Sequence, residues 1–254
     1  MAVLSLSKVS RRFGGVFAVQ DFSMTARSGR ITGLIGPNGA GKTTIVNLIT
    51  GLLKLAAGSI TLDGREIHEL PPHEIARRGV ARTFQNVRLL KEASVLDNIL
   101  AGCRQEEAVP FYAQALGLPA MRRARGASIV RAHALLAELG MSEYANRLAG
   151  ELSYGHQRRV EIMRALALEP GVLLLDEPVA GMNDPEAEEL GRIFRKLAAG
   201  GMAVLLIEHN IRFVTAQCDE IYVLATGELI DHGAPGKVLA NPKVVEAYLG
   251  AQPC

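Results

Sequence analysis

Tryptophan is absent from the 254-residue chain, and cysteine occurs only three times, at Cys103, Cys218 and Cys254. The cysteines lie far apart, their number is odd and no CxxC pair is present. This argues against a disulfide framework or a cysteine-based zinc site and fits a reducing cytosol. Long apolar runs are missing too. The longest stretch free of Asp, Glu, Lys and Arg, Ala108 to Met121, has 14 residues and contains Pro110, Gly117 and Pro119. A bilayer-spanning helix needs about 20 apolar residues, so the chain itself reads as soluble. The opening Met1-Ala2-Val3-Leu4-Ser5 lacks the charged and apolar regions of a secretory leader. There is no excess of one charge: 28 Lys and Arg face 26 Asp and Glu, a formal net charge of +2. A dedicated nucleic-acid binder would carry a basic excess. Glycine (26) and proline (11) stay near the level of folded chains, which excludes collagen-like and low-complexity classes.

Three short runs are apolar at nearly every position: Ile31–Ile35, Val172–Leu175 and Ala203–Ile207. Such runs suit strands buried on both faces of a parallel sheet. Helical patterns follow the first two, over Lys42–Leu52 and over Pro185–Ala199, the latter opened by Asp184 and rich in early Glu. The alternation predicts an α/β fold with crossover helices. The start differs. Leu4–Val9 alternates, Val16–Ala26 is strand-like, and Ser59–Leu62 followed by Asp63-Gly64 reads as strand and turn. These predict an antiparallel β subdomain. The middle predicts helices over Val95–Cys103, around Phe111–Leu118, over Ser128–Leu139 and over Tyr154–Leu168. Arg122-Arg123-Ala124-Arg125 reads as a solvated helix end, with contact to lipid headgroups as the alternative.

The strongest chemical signal is Gly36-Pro37-Asn38-Gly39-Ala40-Gly41-Lys42-Thr43, which matches G-x-x-x-x-G-K-[ST] between a predicted strand and a predicted helix. Glycines let successive backbone N–H groups point at phosphate oxygens, and the following helix adds its positive end. Lys42 supplies a charge to the β- and γ-phosphates, and the Thr43 hydroxyl is placed for Mg²⁺. Asp176 and Glu177 stand at the C-terminal end of the second buried strand, where open α/β sheets bind ligands. Asp176 is the expected Mg²⁺ partner, through an oxygen or a bound water, and Glu177, on the opposite side of the strand, the general base for water attack. His209 ends the third buried strand at the same edge, placed to hold the γ-phosphate or the attacking water.

Leu152-Ser153-Tyr154-Gly155-His156-Gln157-Arg158-Arg159 lies 24 residues before Asp176. With it, the chain resembles the nucleotide-binding subunits of ATP-binding-cassette (ABC) transporters, whose signature peptide L-S-G-G-Q precedes the acidic strand at this spacing. The resemblance spans nearly the whole chain and implies a P-loop NTPase with a RecA-like parallel core, an antiparallel β subdomain and a helical subdomain. It divides a single domain over residues 1–254 into a β part (about 1–30 and 58–65), a helical part (about 86–165) and the core. It assigns Gln85 to the glutamine loop that touches Mg²⁺ and water, Ala180–Asn183 to the D-loop and His209 to the switch histidine. Phe13 becomes the aromatic that stacks on adenine. The implied nucleotide-binding set is Phe13, Gly36, Pro37, Asn38, Gly39, Ala40, Gly41, Lys42, Thr43 and Thr44, completed by Ser153 and Gly155 from a second subunit. Glu177, His209 and Gln85 form the implied catalytic set, and Thr43, Gln85 and Asp176 the metal set.

The sequence departs from the pattern at Tyr154 for a signature glycine, His156 for glutamine, and Asn183-Asp184 in the D-loop. Within the family, the Gln85–Leu152 spacing, the signature region and the ending Val244–Gly250 resemble ATPases of branched-chain amino acid importers. Urea or short-amide importers stand as the alternative. The resemblance further implies a second ATPase subunit, identical or homologous, two permease subunits, an extracytoplasmic solute-binding protein as indirect partner, no nucleic acid, and a peripheral position on the cytoplasmic face of the membrane. A non-transport ABC ATPase and a P-loop kinase are the competing classes. The first would carry coiled-coil inserts or a tandem cassette, and the second would not need the signature peptide.

Overall fold

The computed structural model describes residues 2–83, 88–103 and 119–249. In chain order the strands are β1 (Val3–Phe13), β2 (Val16–Arg27), β3 (Ile31–Ile35), β4 (Ala57–Leu62), β5 (Arg65–Glu66), β6 (Val80–Arg82), β7 (Val172–Asp176), β8 (Ala203–Ile207), β9 (Glu220–Ala225) and β10 (Glu228–Gly233). The helices are α1 (Lys42–Ile49), α2 (Pro72–Arg77), α3 (Val95–Leu100), α4 (Pro119–Glu138), α5 (Tyr154–Leu166), α6 (Asp184–Ala199), α7 (Ile211–Gln217), α8 (Pro235–Val238) and α9 (Pro242–Leu249). They form two compact units, residues 1–85 with 171–254, and residues 86–170.

The first unit holds two sheets. One has the order β10-β9-β3-β8-β7-β6, with β3, β6, β7, β8 and β9 parallel and β10 antiparallel at the edge. Its central strands β3, β7 and β8 are buried at every position, as their unbroken apolar sequences require when both faces are covered. The other sheet, β2-β1-β4-β5, is antiparallel throughout. Its inward residues Leu4, Leu6, Val9, Phe22 and Met24 share one apolar core with Leu34, Ile45, Leu174 and Leu205.

Elements end where the backbone demands it. α1 stops at Ile49, short of the expected Leu52, because Gly51 takes a φ of 71°. α6 starts in a capping box: the Asn183 side chain accepts from the Glu186 N–H at 2.9 Å, and the Glu186 carboxylate accepts from the Asn183 N–H at 3.2 Å. The sequence reading missed β5, β6, β9, β10, α2, α7, α8 and α9. Most are short, and β10 has only partly buried or exposed residues.

The second unit is helical. Ser94 caps α3, accepting from the Asp97 N–H at 3.0 Å. Behind it Asn98, fully buried, donates to the carbonyls of Leu90 and Ser94 and accepts from the Leu90 N–H, at 2.9–3.0 Å. α4 begins at Pro119, well ahead of the expected Ser128, so the basic cluster Arg122–Arg125 falls in its early turns. Ala132, Leu135, Leu136 and Leu139 are buried. In α5, Arg158 and Glu161 form a buried ion pair at 2.5 Å. The expected helix around Phe111–Leu118 lies outside the described residues. Among the described residues no helix is long and apolar enough to cross a membrane.

Candidate active site

Buried β3 runs directly into the phosphate loop. At Gly36 (φ 153°) an added Cβ would lie 2.0 Å from the Leu224 carbonyl oxygen, and at Gly41 (φ 106°) 2.4 Å from that of Ala18. Only glycine fits either position. Gly39, at the exposed loop tip, needs its φ of 78° instead. Gly41 caps α1 with no side chain, so the first amides of that helix stay available for an anion. Lys42 opens the helix and is nearly buried, its ammonium donating to the carbonyls of Gly36 at 2.6 Å and Pro37 at 2.9 Å. Burial lowers its pKa, while the nearby carboxylates of Glu177 and Asp176 pull it back up. Thr43 is exposed and Thr44 half-buried on the next helical positions.

Strand β7 delivers the two carboxylates. Asp176 is buried, and its Oδ2 accepts from Arg82 at 2.8 Å. Arg82 also donates to Asn47 Oδ1 on α1 at 2.7 Å, linking β6, β7 and α1. The Asp176 N–H donates to Thr83 Oγ1 at 3.3 Å. Glu177 leaves the strand in a left-handed conformation, φ 46°, so that turn rather than strand alternation sets its direction. A non-glycine residue there costs about 1–3 kcal/mol and persists only where its surroundings over-determine it. The Glu177 N–H is held by the Ile207 carbonyl at 2.9 Å. At the end of neighbouring β8, His209 brings Nδ1 to 3.6 Å from Glu177 Oε1 and remains largely exposed.

Lys42, Asp176, Glu177 and His209 therefore meet at the C-terminal ends of the adjacent strands β3, β8 and β7. Phe13 ends β1 with its ring half exposed and the Arg11 guanidinium 4.9 Å from its centre. Phe17, across the same hairpin, is also exposed and carries Arg12 at 5.0 Å, a second aromatic that the sequence reading passed over. Arg82 and Glu208 escaped it as well, because neither belongs to a motif and only the folded sheet brings them to the carboxylates. Gln85 lies outside the described residues.

Ser153 and Gly155 belong to the helical unit. Ser153 is exposed and caps α5, its Oγ accepting from the His156 N–H at 3.4 Å. The His156 ring packs on Tyr144, centroids 4.6 Å apart, and Gln157 donates to the Leu152 carbonyl at 3.0 Å. The α5 start is thus a helix N-terminus with an exposed hydroxyl. Asn183 is engaged in its own capping box.

The protein's own metal donors are few. No cluster of three His, Cys, Asp or Glu side chains among the described residues could cage an ion. One carboxylate, Asp176, and one exposed hydroxyl, Thr43, fit Mg²⁺, which keeps waters and takes phosphate oxygens rather than a full protein cage.

Comparison with known proteins agrees with this geometry. The family described as "ABC transporter" matches residues 19–180. The high-affinity branched-chain amino acid transport ATP-binding protein LivG of Salmonella typhimurium is 43% identical over 249 residues, covering 98% of each chain. The lipopolysaccharide export system ATP-binding protein LptB of Escherichia coli is 36% identical over 250 residues, again 98% of each. A crystal structure of an ABC transporter cassette in its ADP conformation superposes with a TM-score of 0.85 at 33% identity, covering 98% of this chain and 99% of that one. A glycine-rich loop running into a helix N-terminus, an acidic strand end and a histidine opposite it, on this fold and at this similarity, place the chain in the ABC transporter family, as one of its ATP-binding and ATP-hydrolysing subunits.

Proposed function

We propose that the chain powers import of branched-chain amino acids, hydrolysing Mg-ATP at an interface shared with a second ATPase subunit. The observation that carries the catalytic part is the convergence of Lys42, Asp176, Glu177 and His209 at one sheet edge. Gly36–Thr44 wrap the phosphates, and Lys42 moves its ammonium from its own loop carbonyls to the β- and γ-oxygens. Phe13 stacks on adenine. Asp176 and Thr43, with Gln85, would hold Mg²⁺, which would neutralise phosphate charge. Glu177 takes a proton from the water whose oxygen attacks the γ-phosphorus. The bond to the bridging oxygen breaks, and ADP leaves. His209 donates to the γ-phosphate or orients the water. Ser153 and Gly155 of a partner subunit supply a helix N-terminus to the exposed γ-phosphate.

Two permease subunits and an external solute-binding protein complete the assembly, with this chain peripheral on the cytoplasmic face of the membrane. The cargo reading rests on the likeness to LivG. The tagged chain, isolated with its permeases and reconstituted in vesicles, should show ATP hydrolysis and uptake of leucine, isoleucine or valine. Uptake of urea or short amides instead, or of a lipid, contradicts the cargo. Glu177→Gln should keep ATP affinity and lose about 10²–10⁴ in turnover. Turnover at the wild-type rate removes Glu177 from its role.

A further inference from the structure

Glu208 lies between β8 and the switch histidine and is 1% exposed. No arginine or lysine among the described residues pairs with it. Its partners are backbone amides instead. Oε1 accepts from the Val179 N–H at 3.2 Å, and Oε2 accepts from the N–H groups of His209 at 3.1 Å and Asn210 at 3.4 Å. The same oxygen lies 3.9 Å from His209 Nδ1. Burial raises the carboxyl pKa, and the bonds from Val179, Asn210 and His209 oppose that rise.

These amides belong to two different loops. Val179 is two residues beyond Glu177, whose left-handed backbone needs restraint from outside. The Val179 carbonyl in turn accepts from the Met182 N–H at 3.1 Å, carrying the restraint into the D-loop. His209 and Asn210 form the loop after β8, and Asn210 caps α7, accepting from the Phe213 N–H at 3.1 Å. One acceptor-only side chain thus ties the segment bearing the general base to the segment bearing the switch histidine. The Glu177 N–H bond to the Ile207 carbonyl is a second tie, from the same turn to the end of β8.

From this geometry we infer that Glu208 is a positioning residue for hydrolysis: its carboxylate locks the Glu177–Val179 turn to His209, so that base and histidine are held, and move, as one piece. The inference rests on Glu177 being the general base. A carboxamide cannot replace the carboxylate, because it offers one acceptor oxygen and presents N–H donors to the remaining amides. An error of about 1 Å in the position of a reacting group costs about 10²-fold in rate. Lys42 and the phosphate loop make no contact in this joint, so nucleotide affinity should survive its loss.

The test compares Glu208→Gln, Glu177→Gln and wild type for Mg-ATP affinity and single-turnover hydrolysis, with amide hydrogen exchange at Val179 and His209. Expected for Glu208→Gln are a 10- to 100-fold lower hydrolysis rate, an ATP affinity within threefold of wild type, and faster exchange at Val179 or His209. Wild-type hydrolysis by Glu208→Gln beside an inactive Glu177→Gln overturns this inference alone. Wild-type hydrolysis by Glu177→Gln overturns the reading of the base and this inference with it. A fall in affinity matching the fall in rate assigns Glu208 to holding the fold and overturns the positioning role. Fast exchange of both amides in the wild-type protein overturns it without any variant.

Discussion

Lys42→Met should separate nucleotide affinity from stability. The Lys42 ammonium donates to two carbonyls of its own loop, those of Gly36 and Pro37. Its pKa is lowered by burial, so the folded protein holds this proton less tightly than the unfolded chain. With the folded pKa depressed, the stability contribution of this lysine rises with pH between that value and the ordinary 10.5, and at neutral pH the buried charge is a cost. Removing it relieves that cost while leaving two carbonyls unpaired, the buried one of Gly36 and the part-buried one of Pro37. The two effects oppose each other, and we expect a net change within about 1 kcal/mol, or about 2–4 °C in Tm for a chain of this size. Binding behaves differently. Losing two charge-assisted hydrogen bonds to phosphate, at about 1.5–3 kcal/mol each, weakens ATP affinity by roughly 10²–10⁴-fold. Calorimetry without nucleotide and equilibrium titration with ATP read the two quantities. A Tm loss above about 8 °C, with affinity falling less than tenfold, would refute the reasoning and make Lys42 a structural pin.

Four further outcomes follow from the same geometry. Burial pushes the Cys218 thiol up to about 12, so iodoacetamide at pH 8 should label it far more slowly in the folded than in the unfolded protein, as mass spectrometry would show. Because its folded pKa is raised, its contribution to stability is complete below about pH 9 and declines as pH rises towards 12, which denaturant titration at several alkaline pH values measures. Gly36→Ala places a Cβ against the Leu224 carbonyl and should cost about 2–5 kcal/mol, read from denaturant midpoints, together with ATP binding. Asn98→Ala removes three buried hydrogen bonds and should cost about 3 kcal/mol of unfolding free energy while leaving the phosphate-loop sequence untouched.

Much of the site could be read before folding because its chemistry is local. The phosphate loop, Asp176-Glu177 and His209 each sit directly after a continuous apolar strand, and β3 and β8 begin and end where the pattern placed them. Elements with weaker local signals were lost. β6 is three residues long, and β10 has no buried position, while the buried run Ile221–Ala225 opens on the polar Glu220 and was passed over. The partners of the candidate site groups were invisible for a different reason. Arg82 reaches Asp176 across 94 residues and Glu208 reaches Val179 across 29, contacts that only the strand order β8-β7-β6 creates. The left-handed backbone of Glu177 likewise has no sequence signature, since nothing in Asp-Glu-Pro demands it.

The central claim is that ATP joins Lys42 of one subunit to Ser153 of another. Sedimentation equilibrium of Glu177→Gln tests it most directly, with the chain studied alone and mixed with the partner ATPase recovered from its transporter. With saturating Mg-ATP the mass should double, and it should return to that of the monomer with Mg-ADP or when Ser153→Arg is added. A mass that stays monomeric in Mg-ATP under both conditions, with ATP shown to be bound, would contradict the account.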